Sequence, residues 1–380
     1  SLMIEFARRT GLISGDVPPR RYLWTDAFAV CNFLGLYTET GEEKYRELAL
    51  LLVDQVHHIL GRHREDDQRS GWISGLGEQE GERHPTIGGL RIGKGMNERA
   101  PDEPYDQNRE WDRDGQYFHY LTRWMHALNR VSRVTGDRKY NRWAIELARS
   151  AHARFTWQSP SDGRKRMYWK MSIDLSRPLV SSMGQQDPLD GYLVYNQLHR
   201  CLPAGDMQAG ESGLQHEIQE MAELCAGKSW VTDDVLGVGG LLGDAWKVAQ
   251  MSEKCGFSHP GLLENLLQAS LTGLLSVVQS GVLELPAVYR LPFREFGLSI
   301  GLQAVSRLAQ YADRISSRDG HRQELLRLVE MLSAFQPLVK TMGDFWQLPA
   351  NRQADTWEEH LDINSVMYAT SLSPDGFLTV

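Results

Sequence analysis

The sequence predicts a single all-α domain spanning residues 1–380, a toroid of helical hairpins. Three observations carry that expectation: a turn that recurs, an apolar stripe that recurs behind it, and the lack of any long strand-like alternation. The turn is Thr40-Gly41-Glu42-Glu43-Lys44-Tyr45, repeated as Thr135-Gly136-Asp137-Arg138-Lys139-Tyr140. A glycine there ends one helix by taking a left-handed conformation, and acidic residues after it suit the positive end of the next. Behind the first turn Ala49, Leu52, Val53, Val56 and Leu60 recur at helical spacing. Behind the second, Ala144, Leu147, Ala148, Ala151 and Phe155 keep the same register, and His57 and His152 occupy equivalent places. Such spacing makes one buried stripe on a helix whose other face is wet.

The helix before the first turn, Phe28 to Tyr37, is apolar nearly all round and must be covered on most sides. Each unit is therefore an inner, buried helix, a tight turn and an outer, one-sided helix. Weaker copies follow as 188–200 with 214–227, 239–251 with 260–279, and 293–312 with 321–341 across Ser316-Ser317-Arg318-Asp319-Gly320, before a last inner helix at 359–371. That gives six inner helices and five outer ones. The sixth outer position is filled by the segment Ile4 to Arg9 or is absent. Inner helices apolar on nearly all faces favour a closed ring over an open superhelix, whose concave face stays wet.

A length of 380 residues would by itself suggest two or three domains, but repeats override that expectation. A net charge of −8 argues against nucleic acid or an anionic membrane as partner, since both demand a basic surface. No run of about 18 apolar residues exists to span a bilayer. Four cysteines, Cys31, Cys201, Cys225 and Cys255, are scattered with no CxxC pair, so no disulfide framework is expected. With no basic-then-apolar leader, the expected location is cytoplasmic. No HExxH and no zinc-spaced Cys/His cluster appears, and neither a metal nor another cofactor is expected. Composition leaves the oligomeric state open.

In stacked hairpins the longer outer-to-inner connections gather at the inner helices' N-terminal ends, and loops carry function more often than scaffold does. Unusual residues concentrate there. Trp24 and Asp26 open the first inner helix; Trp111, Asp112, Asp114, Tyr117 and His119 lead into the second. Asp187, Asp190 and Tyr192 open the third, Glu295 the fifth, and Trp357, Glu359 and His360 the sixth. Each has a plain structural alternative. An aspartate just before a helix serves as an N-cap, and Asp187 followed by Pro188 fits that use. Asp114 beside Arg113 reads equally as a salt bridge, and His119 on an aromatic face as a core histidine. Trp124, Trp143, His57 and His152 read as core.

The stretch 61–108 stands apart as a long, glycine-rich loop. Trp72, Ile87, Leu90 and Ile92 suggest that it packs, as a flap over the rim. Its Gly-x-Gly patterns follow no strand, so they do not read as a nucleotide site.

Buried inner helices, Thr-Gly-acidic-x-Lys-Tyr turns and acidic, Trp-bearing rim loops together resemble the six-hairpin glycosidase-like (α/α)6 toroids over about residues 20–375. The resemblance is architectural. It implies a carbohydrate-active site at that rim, in a superfamily that includes unsaturated glucuronyl hydrolases, glucanases, mannosidases and, by fold, N-acylglucosamine 2-epimerases. A glycosidase needs one protonated carboxyl and one carboxylate. The expected pair is Asp114 or Asp112 as acid with Asp187 or Asp190 as base, acting on a small oligosaccharide, the expected partner. Substrate contacts would come from Trp24, Asp26, Trp111, Tyr117, His119, Tyr192, Glu295, Trp357, Glu359 and His360. Two other readings stay open: an epimerase moving protons through His119 and His360, and a non-catalytic sugar-binding toroid.

Overall fold

The computed structural model describes residues 2–13, 15, 17–200, 213–315 and 320–380, with backbone alone at 320 and 321. Their contacts divide into two compact units, residues 3–226 and 227–380. The predicted turn at 316–320 falls largely outside the described residues, as does Cys201.

In the first unit α1 (Leu2–Arg9) precedes the hairpin α2 (Leu23–Thr40) and α3 (Glu43–Leu60). Two short helices follow, α4 (Glu78–Arg83) and α5 (Gln107–Asp112), then β1 (Gln116–Tyr117). The next hairpin is α6 (Phe118–Thr135) with α7 (Lys139–Phe155). Strands β2 (Thr156–Gln158), β3 (Lys165–Met167), β4 (Lys170–Met171) and β5 (Pro178–Val180) lead to α8 (Asp187–Arg200) and α9 (Gln215–Cys225). Helices α2, α6 and α8 pack in series as the inner layer, each carrying its own outer partner. On α2 every side chain from Leu23 to Gly35 is buried, as an inner helix requires. On α3 and α7 the predicted stripes are the buried faces. The strands form two small antiparallel ladders, β2–β3 and β1–β4–β5.

Both Thr-Gly turns are built alike. Gly41 and Gly136 take φ of 70° and 74°, and their amides close on Tyr37 O and Ser132 O. Thr40 and Thr135 each donate back to the carbonyl four residues earlier and accept from the amide two residues on. Threonine is thus fixed by hydrogen bonds on both sides of the turn and glycine by its backbone.

The loop after α3 is pinned along its length. His63 N donates to Gly71 O at 3.0 Å, Trp143 Nε1 to Arg83 O at 2.8 Å, and Leu90 N to the Gln116 side chain at 2.8 Å. Ile92 bonds both Leu23 and Gly115 through its backbone. Trp72, Leu90 and Ile92 are buried, whereas Ile87, expected to pack, is exposed. Bonds from Arg83, Thr86, Arg91 and Ile92 tie this stretch to α2, α3, α7 and the entry to α6.

In the second unit α10 (Val235–Cys255) pairs with α11 (Leu262–Gln279), and α12 (Pro292–Arg314) with α13 (Gly320–Ser333) and α14 (Pro337–Gln347). Helices α15 (Asp355–Glu358), α16 (Leu361–Leu372) and α17 (Asp375–Leu378) end the chain, with α16 packed on α12. The single outer helix expected at 321–341 is broken at 334–336. Pro337 has no amide hydrogen to continue α13 and instead opens α14. Cys31 and Cys225 are thiols, and Cys255 is disulfide-bonded. No helix among the described residues is long and apolar enough to cross a membrane.

Helices α10 and α12 meet backbone to backbone. A Cβ on Gly239 would lie 2.2 Å from Gly297 O, and one on Gly301 would lie 2.3 Å from Gly239 O. Glycine to alanine within a helix ordinarily gains about 1 kcal/mol, but overpacking costs about 1–3 kcal/mol and here the obstacle is backbone. Gly239→Ala is therefore expected to lower the thermal midpoint. Gly243→Ala on the same helix, whose Cβ would meet only Leu378 at 3.7 Å, should hold or raise it. Equal midpoints for the two variants would refute the close crossing.

Candidate active site

Helix α8 begins with Asp187-Pro188, and proline loses nothing there because no helical carbonyl awaits its amide. Asp187 does not cap the helix. Its Oδ2 is buried and has no hydrogen-bond partner, and its Oδ1 lies 3.6 Å from His119 Nδ1, which is equally unpartnered. The preceding loop folds down on this carboxyl at Gly184, where a Cβ would sit 2.6 Å from the carboxyl carbon. Glycine is needed at 184 for that close approach. Burial first, then the charge of Asp190, pushes the Asp187 carboxyl up to about 8; an amide contact at Gly184 and the Arg123 charge pull weakly the other way.

Asp190, three residues on along the same helix, accepts from Arg123 Nη1 at 3.1 Å. His119 stands one helical turn before Arg123 on α6. Burial, then the Arg123 charge, drives its imidazole down to about 3, so it is neutral. The cluster thus presents a protonated acid at neutral pH, an Arg-paired carboxylate and a neutral imidazole.

Beside it runs a wall of rings. Tyr117 and Trp169 stack on His119 with centroids 5.3 and 6.4 Å away. Trp111, about half exposed, meets Trp169 edge-on at 5.1 Å. Tyr120 meets His119 edge-on at 4.9 Å, and its hydroxyl shares a 2.8 Å hydrogen bond with that of Tyr22. These rings come from α2, the α5–α6 entry and the β3–β4 turn. Buried Lys170 supports Tyr117 from 5.4 Å, its three protons spent on Glu110 O, Glu110 Oε1 and Arg113 O.

Within the first unit the structure brings Asp187, Asp190, Tyr117, His119 and Trp111 together. Asp114, expected as a catalytic acid, is wholly buried and fully bonded: Arg91 at 2.9 Å, Arg64 at 3.3 Å and the amides of Gly93 and Gly115 take its oxygens. It has no face for a substrate. Its expected partner, Arg113, binds Glu103 instead. Asp112 is exposed at the end of α5. Asp26 accepts from Tyr22 N at 2.9 Å and pairs with Arg21, both buried, and so serves the start of α2. Trp24 is buried against Phe28, and Tyr192 is buried on α8. In the second unit Glu295 binds Arg290 through both oxygens and accepts from Trp346 at 2.8 Å, while Trp357 is buried against Trp346. Glu359 and His360 are exposed at the start of α16.

Sequence reasoning missed Arg123, Tyr120 and Trp169. Arg123 was within reach, since it follows His119 by one helical turn. Trp169 comes from the β3–β4 turn, which no periodicity marks. Among the described residues no three His, Cys, Asp or Glu side chains converge as a metal site. A cavity of about 560 Å³ in this unit is lined by other residues, among them Ile73, Glu146 and Leu175.

No protein-family model matches the chain, and no curated protein matches it. Solved structures do. An inactive variant of the GH76A α-1,6-mannanase of Salegentibacter sp. HEL1_6, in complex with α-1,6-mannotriose, covers 98% of this chain and 97% of its own at 14% identity, with a TM-score of 0.52. The fold is the (α/α)6 toroid. The same mannanase without the substitutions gives a TM-score of 0.50 at 14% identity, covering 97% and 96%. The cellobiose 2-epimerase of Spirochaeta thermophila DSM 6192 is more distant, at 12% identity, 82% and 73% coverage and a TM-score of 0.44. The architectural resemblance read from the sequence therefore holds at the level of fold.

Asp114 yields a stability test. Removing one partner of a buried ion cluster costs about 3–5 kcal/mol, because the remaining charges stay buried and unpaired. Asp114→Ala is expected to lose stability of that order in urea unfolding. A loss below about 1 kcal/mol would show that the guanidiniums find other partners.

Proposed function

We propose that the protein is a carbohydrate-active enzyme, a glycoside hydrolase acting on a small oligosaccharide, with Asp187 as general acid and Asp190 as the second carboxylate. One observation carries the reading: a buried carboxyl with an unpartnered oxygen, protonated at neutral pH, stands beside an Arg-paired carboxylate and a wall of rings. A glycosidic oxygen leaves only with a proton, and a carboxyl held near pH 8 has one to give. As that bond breaks, Asp190 acts as nucleophile at the anomeric carbon or as base to an attacking water, according to the carboxyl separation in the complex. Sugar rings stack their apolar faces on Trp169, Tyr117 and Trp111, and neutral His119 accepts a hydroxyl proton. Fold likeness to a mannanase that holds mannotriose supports the reading by analogy only. Asp112 and Asp114 are set aside as catalysts because Asp187, unlike either of them, combines burial with an uncommitted oxygen. On compartment, the scattered cysteines favour the cytosol, whereas the Cys255 disulfide supports an oxidising location and carries more weight.

The test is reducing-sugar release from a panel of di- and trisaccharides. The wild type is expected to hydrolyse at least one, with kcat/KM falling above about pH 8 as Asp187 loses its proton. Asp187→Asn should lower kcat by about 10²-fold or more and abolish that alkaline limb. Its fold should survive. Native Asp187 keeps a proton between its ordinary 3.8 and about 8 while the unfolded chain does not, so the wild type loses stability as pH rises through that window. Asparagine removes the loss, and the variant should be at least as stable at pH 7. An asparagine variant with normal turnover would overturn the assignment. Solvent deuterium entering C2 of a monosaccharide without hydrolysis would replace the hydrolase with an epimerase.

A further inference from the structure

We propose that the substrate carries an anionic group, a uronate carboxylate or a sulfate ester on one sugar unit, and that Lys94 recognises it. The proposal rests on the hydrolase reading of the same site.

Lys94 stands at the Tyr22 end of the ring wall, its ammonium 5.7 Å from the centre of the Tyr22 ring. Tyr22 is joined to Tyr120 hydroxyl to hydroxyl, and Tyr120 abuts both His119 and Tyr117. The ammonium therefore borders the surface that leads to Asp187. The Tyr22, Tyr120 and His119 rings stand between Lys94 and Asp187, so the unit that Lys94 recognises is one beyond the unit at Asp187.

The backbone under Lys94 is held on both sides. Gly93 N donates to Asp114 Oδ1 at 2.9 Å; Arg64 donates to Lys94 O at 2.5 Å and to Gly95 O at 2.9 Å. Gly93 takes φ of 94° and lies so close to the backbone of Arg21 that a Cβ would fall 2.2 Å from its carbonyl oxygen. A segment clamped in this way places its side chain before any ligand arrives.

The side chain itself is uncommitted. Lys170 spends its protons on three oxygens, and Arg64, Arg91 and Arg113 each grip a carboxylate. Lys94 is partly buried, yet its ammonium makes no hydrogen bond or ion pair with any described residue. Its nearest opposite charges are Asp112, which is exposed, and Asp114, whose oxygens are already taken. Burial pulls its ammonium below the usual lysine range, and these two carboxylates offset that only in part. A sheltered cation over a ring face, beside a ligand surface and without a partner, is completed by an anion from the ligand. With a net charge of −8 the whole molecule does not draw anions in from a distance, so selectivity for one must be local.

The test uses the whole protein and three probes, D-glucuronate, glucose 6-sulfate and glucose, with binding measured by calorimetry. At least one acidic sugar is expected to bind about tenfold more tightly than glucose or better. The ratio between the two acidic probes identifies which anion the site takes. Lys94→Met should collapse the preference for the acidic sugar, and Lys94→Arg should retain most of it. Because Met removes a sheltered charge that has no partner, the thermal midpoint should not fall, so a lost preference is not a folding defect. Equal binding of all three sugars, or a preference that survives Lys94→Met, overturns the inference. If neutral oligosaccharides are hydrolysed but acidic ones are not preferred, only this inference fails. If no sugar of either kind is bound or cleaved, the hydrolase reading fails with it.

Discussion

The first unit's site depends on one buried carboxylate, Asp114. Two guanidiniums and two backbone amides converge on it, and those groups belong to three separate stretches of chain. Arg64 brings the start of the long loop, Arg91 and Gly93 its end, and Gly115 the entry to α6. Once they are tied, Ile92 can bond both Leu23 and Gly115, which joins the start of α2 to the two-residue strand before α6. Tyr117 and His119 follow within a few residues. An ion cluster of this kind is a poor source of net stability, since its desolvation cost is large. What it supplies is a single geometry: a stretch of nearly fifty residues without a long helix becomes a fixed wall.

Three aspartates of the first unit show how environment divides one chemical group among roles. Asp114 has every oxygen occupied. Asp190 has one guanidinium. Asp187 has a buried oxygen with nothing opposite it, close under the backbone at Gly184. On α8, where the last two stand three residues apart, Arg123 contacts Asp190 directly and Asp187 only at longer range, and burial pushes the Asp187 carboxyl up to about 8.

This explains how far the sequence could be read. The hairpin plan was legible because burial has helical periodicity, and a turn needing a left-handed residue advertises it with glycine; Gly41 and Gly136 are such cases. The break at 334–336 was signalled by Pro337 and overlooked, since the stripe around it continues. The closed surroundings of Asp114 were not legible for a different reason. A lone aspartate beside arginine and aromatic residues looks the same in sequence whether its partners are two side chains or none, and Arg64 and Arg91, which settle Asp114, lie 50 and 23 residues away. Trp169 was invisible because a ring contributed by a short β-turn leaves no periodic trace. Within the site, local pairs such as His119 with Arg123 were readable and long-range ones were not.

Holding His119 and Asp187 neutral side by side has an energetic consequence with a definite sign. Native His119 lacks the proton that the unfolded chain takes up below its ordinary 6.5, so its burial weakens the fold toward acid, and stability rises with pH from about 3 to 6.5. Native Asp187 keeps a proton that the unfolded chain gives up above 3.8, so its burial weakens the fold toward alkali, and stability falls with pH up to about 8. Between 3.8 and 6.5 the two slopes oppose each other and largely cancel. From 6.5 to 8 only the Asp187 slope remains. The cost of burying Asp187 thus grows through neutrality and is complete above about pH 8, so a carboxyl held protonated at pH 7 must be carried by a scaffold whose stability comes from elsewhere. The buried inner helices supply that stability, and the Asp114 cluster supplies the geometry.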